Sequence, residues 1–240
     1  MKVFFSLLLL GAVAFANSLH YDIKAPLLGK EGAVDINYYH TATRYSMHLK
    51  FFTTGMAKKL TGNRRGEYSS KGFIRSNRYK SKIYKDNISY KNKKREHQYL
   101  FNYTTKKITK TTKAWRDGKL VKNDKRVLSY FTYNDFLNSY HNIVAHLKHK
   151  PAGYYQMKVA GMEKYGEYLK VYIPPKAQQK KEAKELGTKD VWIFHLFTKR
   201  KILGSKSGEM IFAVGEDGIA KVVRVLDIPF VSYLDAVLVR

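Results

Sequence analysis

The sequence predicts a mainly β protein: a large curved antiparallel sheet, or an open or closed β-barrel, with one amphipathic helix packed on or in it. Three observations carry this expectation. About a dozen short runs alternate apolar and polar residues with period two. Two pairs, Asp117-Gly118 and Asp217-Gly218, lie beside such runs, where a tight hairpin needs positive φ. A single segment shows the 3.6-residue apolar stripe of a well-packed helix. A doubly wound α/β fold would need many more helices.

Taken in order, the chain opens with Met1 and Lys2, an apolar stretch over residues 3–13, and Ala14-Phe15-Ala16. This is the pattern of a secretory signal peptide with an A-x-A-like cleavage site. It sets the expected organisation as a signal over residues 1–16 and a single mainly β domain over residues 17–240. The apolar stretch is shorter than the roughly 20 residues that span a bilayer. The expected location is therefore the periplasm. The chain has no cysteine, which excludes disulfides, a thiol nucleophile and a lipoprotein anchor. A soluble product with at most peripheral membrane contact follows.

Beyond the signal, Val34, Ile36 and Tyr38 alternate with Asp35, Asn37 and Tyr39, and Tyr45, Met47, Leu49 and Phe51 with Ser46, His48, Lys50 and Phe52. Each run reads as a strand buried on one face. Residues 55–60 suit a short helical turn before the basic turn Gly62-Asn63-Arg64-Arg65-Gly66. Strands are expected over residues 67–72, 73–79 and 83–90, and residues 91–95 form a cationic turn. It leads into a strand on which Tyr99, Phe101 and Tyr103 share a face. Residues 107–116 run to the first Asp-Gly turn, and strands at 210–214 and 219–226 flank the second. Further strands read at 154–159, 167–173, 191–197 and 231–239.

The helix begins near Asn134 or Asp135, with Phe136, Leu137, Tyr140, Ile143, Val144 and Leu147 on its stripe. Asn134 or Thr132 is the expected N-cap. His146, Lys148, His149 and Lys150 suit its C-terminal dipole, and Pro151 stops it. Residues 176–186 form a second, polar helix closed by Gly187, with little to bury.

Charge narrows the partners. The formal charge is +26, and residues 58–126 carry 23 Lys and Arg against five Asp and Glu. A polycation of this kind seeks an anionic partner. Export removes nucleic acid as the expected one, so the candidates are anionic lipid, lipopolysaccharide or another envelope polymer, and an envelope protein.

Catalytic constellations do not emerge. Gly204-Ser205-Lys206-Ser207-Gly208 has lysine where a nucleophile elbow needs serine, and reads as a hairpin turn. No glycine-rich phosphate loop is present, and no cofactor is implied. His141, His146 and His149 lie on or near the helix without an accompanying carboxylate, so they read as surface cations, not as metal ligands. His195 reads as a hydrogen-bonded core or cavity histidine. The acids are scattered, and nothing in their spacing pairs two of them for hydrolysis. Aromatic residues are instead concentrated on alternating strands, where many must face one interior.

Three short stretches carry a family likeness: Tyr21-Asp22-Ile23-Lys24 with Gly29, Asp135-Phe136-Leu137-Asn138-Ser139-Tyr140, and Ile228-Pro229-Phe230 with Leu234-Asp235-Ala236-Val237-Leu238. In these the chain resembles the bacterial exported domain-of-unknown-function 3108 family. The resemblance implies a periplasmic, mostly antiparallel β protein and supplies no catalytic residues. A more distant likeness, of architecture alone, is to the periplasmic lipoprotein carriers, whose curved sheet wraps a helix around a lipid cavity.

The expected function is non-enzymatic binding of a lipidic or amphiphilic anionic envelope ligand. Tyr45, Phe51, Tyr99, Phe101, Tyr103 and Phe212 are the candidates for an apolar cavity, and Arg64, Arg65, Lys93, Lys94 and Arg95 for contacts with an anionic headgroup. The alternative is a solid-cored module that docks by its basic face onto lipopolysaccharide, peptidoglycan or an acidic protein.

Overall fold

The computed structural model describes residues 15–162, 167–198 and 205–239. The signal core and Gly204 lie outside them. The alternating segments form β1 (Phe15–Ala25), β2 (Gly29–His40), β3 (Arg44–Thr53), β4 (Arg65–Arg75), β5 (Arg78–Tyr90), β6 (Lys93–Asn102), β7 (Lys107–Arg116) and β8 (Lys119–Val127). After a helical crossing come β9 (Gly153–Lys158), β10 (Tyr168–Ile173), β11 (Trp192–Phe197), β12 (Glu209–Val214), β13 (Ala220–Ile228) and β14 (Ser232–Leu238). The helices are α1 (Gly55–Thr61), α2 (Asn138–Leu147) and α3 (Lys176–Glu185).

All fourteen strands join one sheet in the order β8-β7-β6-β5-β4-β3-β2-β1-β14-β13-β12-β11-β10-β9, antiparallel throughout. β1 pairs with both β2 and β14, so the first and last strands meet in mid-sheet. The two edges, β8 and β9, are consecutive in sequence and do not pair, leaving the sheet curved but unclosed. Residues 128–152 must therefore cross from one edge to the other, and they carry α2 over the concave face.

The turns follow local chemistry. Asp117 (φ 52°) and Gly118 (φ 75°) both take positive φ, the two-residue I′ geometry expected of that pair. At Asp217-Gly218 only Gly218 does (φ 75°), and the loop is longer, closed by the Gly215 amide donating to Ile219 O at 2.9 Å. Residues 73–79 are not a separate strand: Ser76 (φ 50°) and Asn77 (φ 56°) make a hairpin turn between β4 and β5. Short polar side chains tolerate this left-handed backbone. The cationic turn shrinks to Lys91 and Asn92, because Lys93, Lys94 and Arg95 pair in register with Arg116, Trp115 and Ala114. β1 is an addition to the expected strands; cleavage after Ala16 would leave residues 17–25 of it.

The crossing is fixed by a buried polar knot. Asp135, not Asn134 or Thr132, caps the start of α2, its Oδ1 accepting the amides of Leu137 (2.8 Å) and Asn138 (2.9 Å). Its Oδ2 accepts Ser70 Oγ at 2.5 Å, from β4. Asn138 Nδ2 then donates to Tyr45 Oη at 3.0 Å, and Asn142 pairs with the backbone N–H and C=O of Tyr79 at 2.9 Å each. These bonds replace the ladder partners that a chain crossing a sheet cannot have.

Three apolar clusters result. Under α2, Ile143 packs with Ile23, Phe194, Leu196, Met210 and Val225. At the β5–β7 end, Tyr84, Tyr99, Phe101 and Ile108 pack on Leu128 and Ala160 of the crossing chain. On the outer face, Ala183 and Leu186 of the α3 region cover Ile193, Ala213 and Val222. The polar helix thus does bury a narrow stripe, and β11 is covered on both faces.

Gly72 marks a close approach in this frame. A Cβ there would lie 2.1 Å from the carbonyl oxygen of Lys80, on the paired strand, and 2.9 Å from the Tyr45 ring. A backbone oxygen cannot swing aside as a side chain can. We therefore expect Gly72→Ala to cost about 2–3 kcal/mol as an overpacked site, read as a lower urea midpoint. An unchanged midpoint would contradict the approach.

Candidate binding cavity

Concave-facing side chains of β1 to β3 and β11 to β14 do not fill the space beneath α2. They leave a cavity of about 570 Å³, within the range of small-molecule sites. Its floor includes Leu19, Ile36, Leu49, Phe212 and Val223, and Tyr140 and Val144 of α2 form its roof. Period-two alternation delivers the floor: β1, β2 and β3 each contribute every second residue. The roof is held by the Tyr140 hydroxyl, which donates to Gly218 O at 2.8 Å.

The two ends of the cavity differ chemically. At one end, next to Phe51, Arg64 is the only Lys or Arg lining it among the described residues. The position is fixed by β3, since the Thr53 amide donates to Arg64 O at 3.1 Å. The Phe51 ring lies over Gly66, where a Cβ would come within 2.1 Å of Phe51 Cε1, so the glycine makes room for this wall.

Four residues along β2, roughly 14 Å away at the rise of a strand, the other end is built from aromatic and imidazole rings. His141 stacks between Tyr38 (4.7 Å) and Tyr79 (4.9 Å), and the two tyrosine hydroxyls meet at 2.5 Å. Burial, reinforced by the nearby His40 ring, pulls the His141 pKa down to about 4. Burial also pushes the Tyr38 hydroxyl up, with its bond to Tyr79 adding to the shift. His141 and Tyr38 are therefore uncharged and hydrogen-bonding at neutral pH, while Asp217, paired with Lys221 at 2.6 Å, also lines the cavity. His141 is not a surface cation. His146 is also held below its ordinary pKa, by burial and then by Arg78.

Of the residues singled out from the sequence, Phe51, Phe212 and Arg64 come together around the cavity. Tyr45 lies beside it, its hydroxyl committed to Ser70 (3.0 Å) and Asn138. Tyr99 and Phe101 are in the filled cluster under Leu128, and Tyr103 packs on Phe73 and Phe131 with its hydroxyl on Ser81 O at 2.7 Å. Arg65, Lys93 and Lys94 are exposed, Lys94 pairing with Glu96 at 2.7 Å over the Trp115 ring. Arg95 is half-buried on β6, and its Nε has no hydrogen-bond partner among the described residues. The five cations therefore do not form one cluster. Tyr79 and His141 are among the lining residues that sequence reasoning missed; their meeting depends on where the crossing chain lies, and no local pattern encodes that.

His195 is not in the cavity. It faces outward under α3, with Nδ1 2.8 Å from Glu209 and Nε2 3.0 Å from Glu182. Both ring nitrogens are engaged, so the arrangement ties α3 to the sheet. Among the described residues no three His, Asp or Glu converge to hold a metal ion, and no helix is long and apolar enough to cross a membrane.

Comparison with solved structures finds the same fold in a crystal structure of a β-barrel-like protein of the domain of unknown function DUF1849 from Brucella abortus. The TM-score is 0.56 at 11% identity, covering 94% of this chain and 96% of that one. At that identity the likeness concerns the fold. No family model and no curated protein matches the sequence, so the resemblance to the 3108 family stands only at the coarser level of a β-barrel-like domain of unknown function.

Proposed function

We propose that this protein is a non-enzymatic carrier or receptor for an anionic amphiphile outside the cytoplasm, with the apolar portion in the cavity beneath α2 and the anionic group on Arg64. The observation that carries the reading is the combination of an apolar cavity of about 570 Å³ with one guanidinium at one end. Apolar burial supplies affinity, and a charge-assisted bond supplies orientation. The likenesses to the 3108 family and to the lipoprotein carriers agree with an exported protein of this kind.

Binding of oleate and of methyl oleate, followed by displacement of a fluorescent fatty-acid probe and by native mass spectrometry, tests it. Oleate is expected to bind one per chain. Arg64→Gln should weaken oleate about tenfold, about 1.4 kcal/mol, and leave the ester unchanged. Leu49→Trp, which fills the floor, should abolish both. A protein that takes up neither compound, and carries no lipid when isolated from an envelope, would sink the proposal.

A further inference from the structure

The sheet has two edges, and they are treated differently. The β9 edge is covered where the crossing chain runs beside its end: Thr132 Oγ1 and Asn134 Nδ2 donate to Lys158 O at 2.7 and 3.0 Å, and the Ala160 amide donates to Asn134 O at 2.9 Å. Among the described residues β8 pairs with β7 and with no other strand. Eight of its nine residues are exposed. It spans about 30 Å of uncovered backbone at the ordinary rise of a strand.

The hydrogen-bond phase shows which groups are free. The Leu128 amide donates to Ile108 O at 2.8 Å, so Arg126 and Asp124, two and four residues back, also face β7. The amides and carbonyls of Asn123, Lys125 and Val127 therefore point away from the sheet. An edge of this length is a template for another strand unless something blocks it.

Charge decides which strand. β8 carries Lys119, Lys122, Lys125 and Arg126 against Asp124, and residues 106–126 hold nine Lys and Arg against two Asp. A second copy of the same edge is repelled by this charge. An acidic segment is attracted by it. Exposed Leu120, Val121 and Val127 add apolar contacts for alternate side chains of an incoming strand.

We infer that β8 is a docking edge at which an extended, acidic polypeptide segment adds to the sheet as a further strand. A polyanion without peptide groups, such as a lipid surface or a polysaccharide, satisfies the lysines and leaves the three outward amides to water. A peptide backbone satisfies both. This inference is independent of the cavity and of what it holds.

The test uses the purified protein and a labelled octapeptide of alternating Glu and Val, with a Lys–Val octapeptide as control, followed by fluorescence anisotropy. Only the acidic peptide is expected to bind, and it should slow hydrogen exchange at the amides of Asn123, Lys125 and Val127. Asn123→Pro removes an outward amide and no ladder bond, and should weaken binding at least tenfold. N-methylation of alternate peptide residues should do the same with the protein unaltered. Absence of binding overturns the inference. So does binding indifferent to both changes, or matched by anionic phosphatidylglycerol vesicles that bind wild type and Asn123→Pro alike, since charge alone would then explain it.

Discussion

Asp135→Ala is expected to destabilise the protein by on the order of 3–5 kcal/mol, the range for loss of a buried hydrogen-bonding centre that serves several donors. Asp135 is fully buried, and it joins three parts of the molecule: Ser70 in β4, the first turn of α2, and, through Asn138, Tyr45 in β3. Alanine would leave the Leu137 and Asn138 amides and the Ser70 hydroxyl without their acceptor, in a place water does not reach. Burial pushes the Asp135 pKa up, against the hydrogen bonds that lower it. With the folded-state pKa raised, the stability it contributes is fully present below the ordinary value of 3.8 and is lost as pH rises through the raised pKa. Asp135→Asn keeps the acceptor for the two amides and cannot ionise. Its deficit relative to wild type should therefore shrink between pH 4 and pH 7; that of Asp135→Ala should shrink by the same amount from a larger starting value and remain the larger of the two. Urea unfolding at the two pH values measures this. The roof of the cavity rests on the same knot, so the alanine variant should also lose probe uptake. A wild-type midpoint for Asp135→Ala would remove the knot from the account of the fold.

Most strands were legible because one-sided burial writes itself as alternation, and the I′ turn because Asp117-Gly118 has little other use. Where burial is not one-sided, the writing changes. β8 is exposed on both faces, so Lys119 to Val127 shows no period and could be placed only as the return limb of its hairpin. β11 is the opposite case: Trp192, Ile193, Phe194, His195 and Leu196 are all buried, and this unbroken apolar run around one histidine was the mark of a strand covered on both sides. Of the two readings of His195, the hydrogen-bonded core histidine holds and the cavity one does not, because the ring lies on the outer face under α3. The cavity was half legible. Alternation sent Phe51, Phe212, Tyr99 and Phe101 to the same concave face, but whether that face is hollow or filled depends on the path of residues 128–137. Leu128 fills the region beside Tyr99, whereas under α2 the Tyr140 ring reaches Phe212, 5.8 Å between centroids, and a cavity is left around them. That path is set by Asp135, Asn138 and Asn142 bonding to residues more than fifty positions away, a dependence that no window along the chain contains.

Removing the imidazole of His195 should release α3. His195→Ala leaves Glu182 and Glu209 facing each other at low exposure with no cation between them, and a cost of about 2–4 kcal/mol follows from breaking a mostly buried ionic tie. The apolar stripe of Ala183 and Leu186 is too narrow to hold a helix this polar by itself. Burial pulls the His195 pKa down, but the hydrogen bonds and charges of Glu209 and Glu182 outweigh it, and the net shift is upward. The contribution to stability is therefore full below the ordinary value of 6.5 and is lost as pH rises through the raised folded-state pKa. His195→Gln, which stays neutral throughout, isolates this effect from His20, raised chiefly by its bond to Asp35, and from the buried His141. The gap in thermal midpoint between wild type and His195→Gln should be widest near pH 6 and close as pH rises. The loss should appear first as faster hydrogen exchange in α3, before the sheet responds. Parallel curves across that range would show that the two glutamates do not hold a charged ring, and α3 would then have to be retained by packing alone.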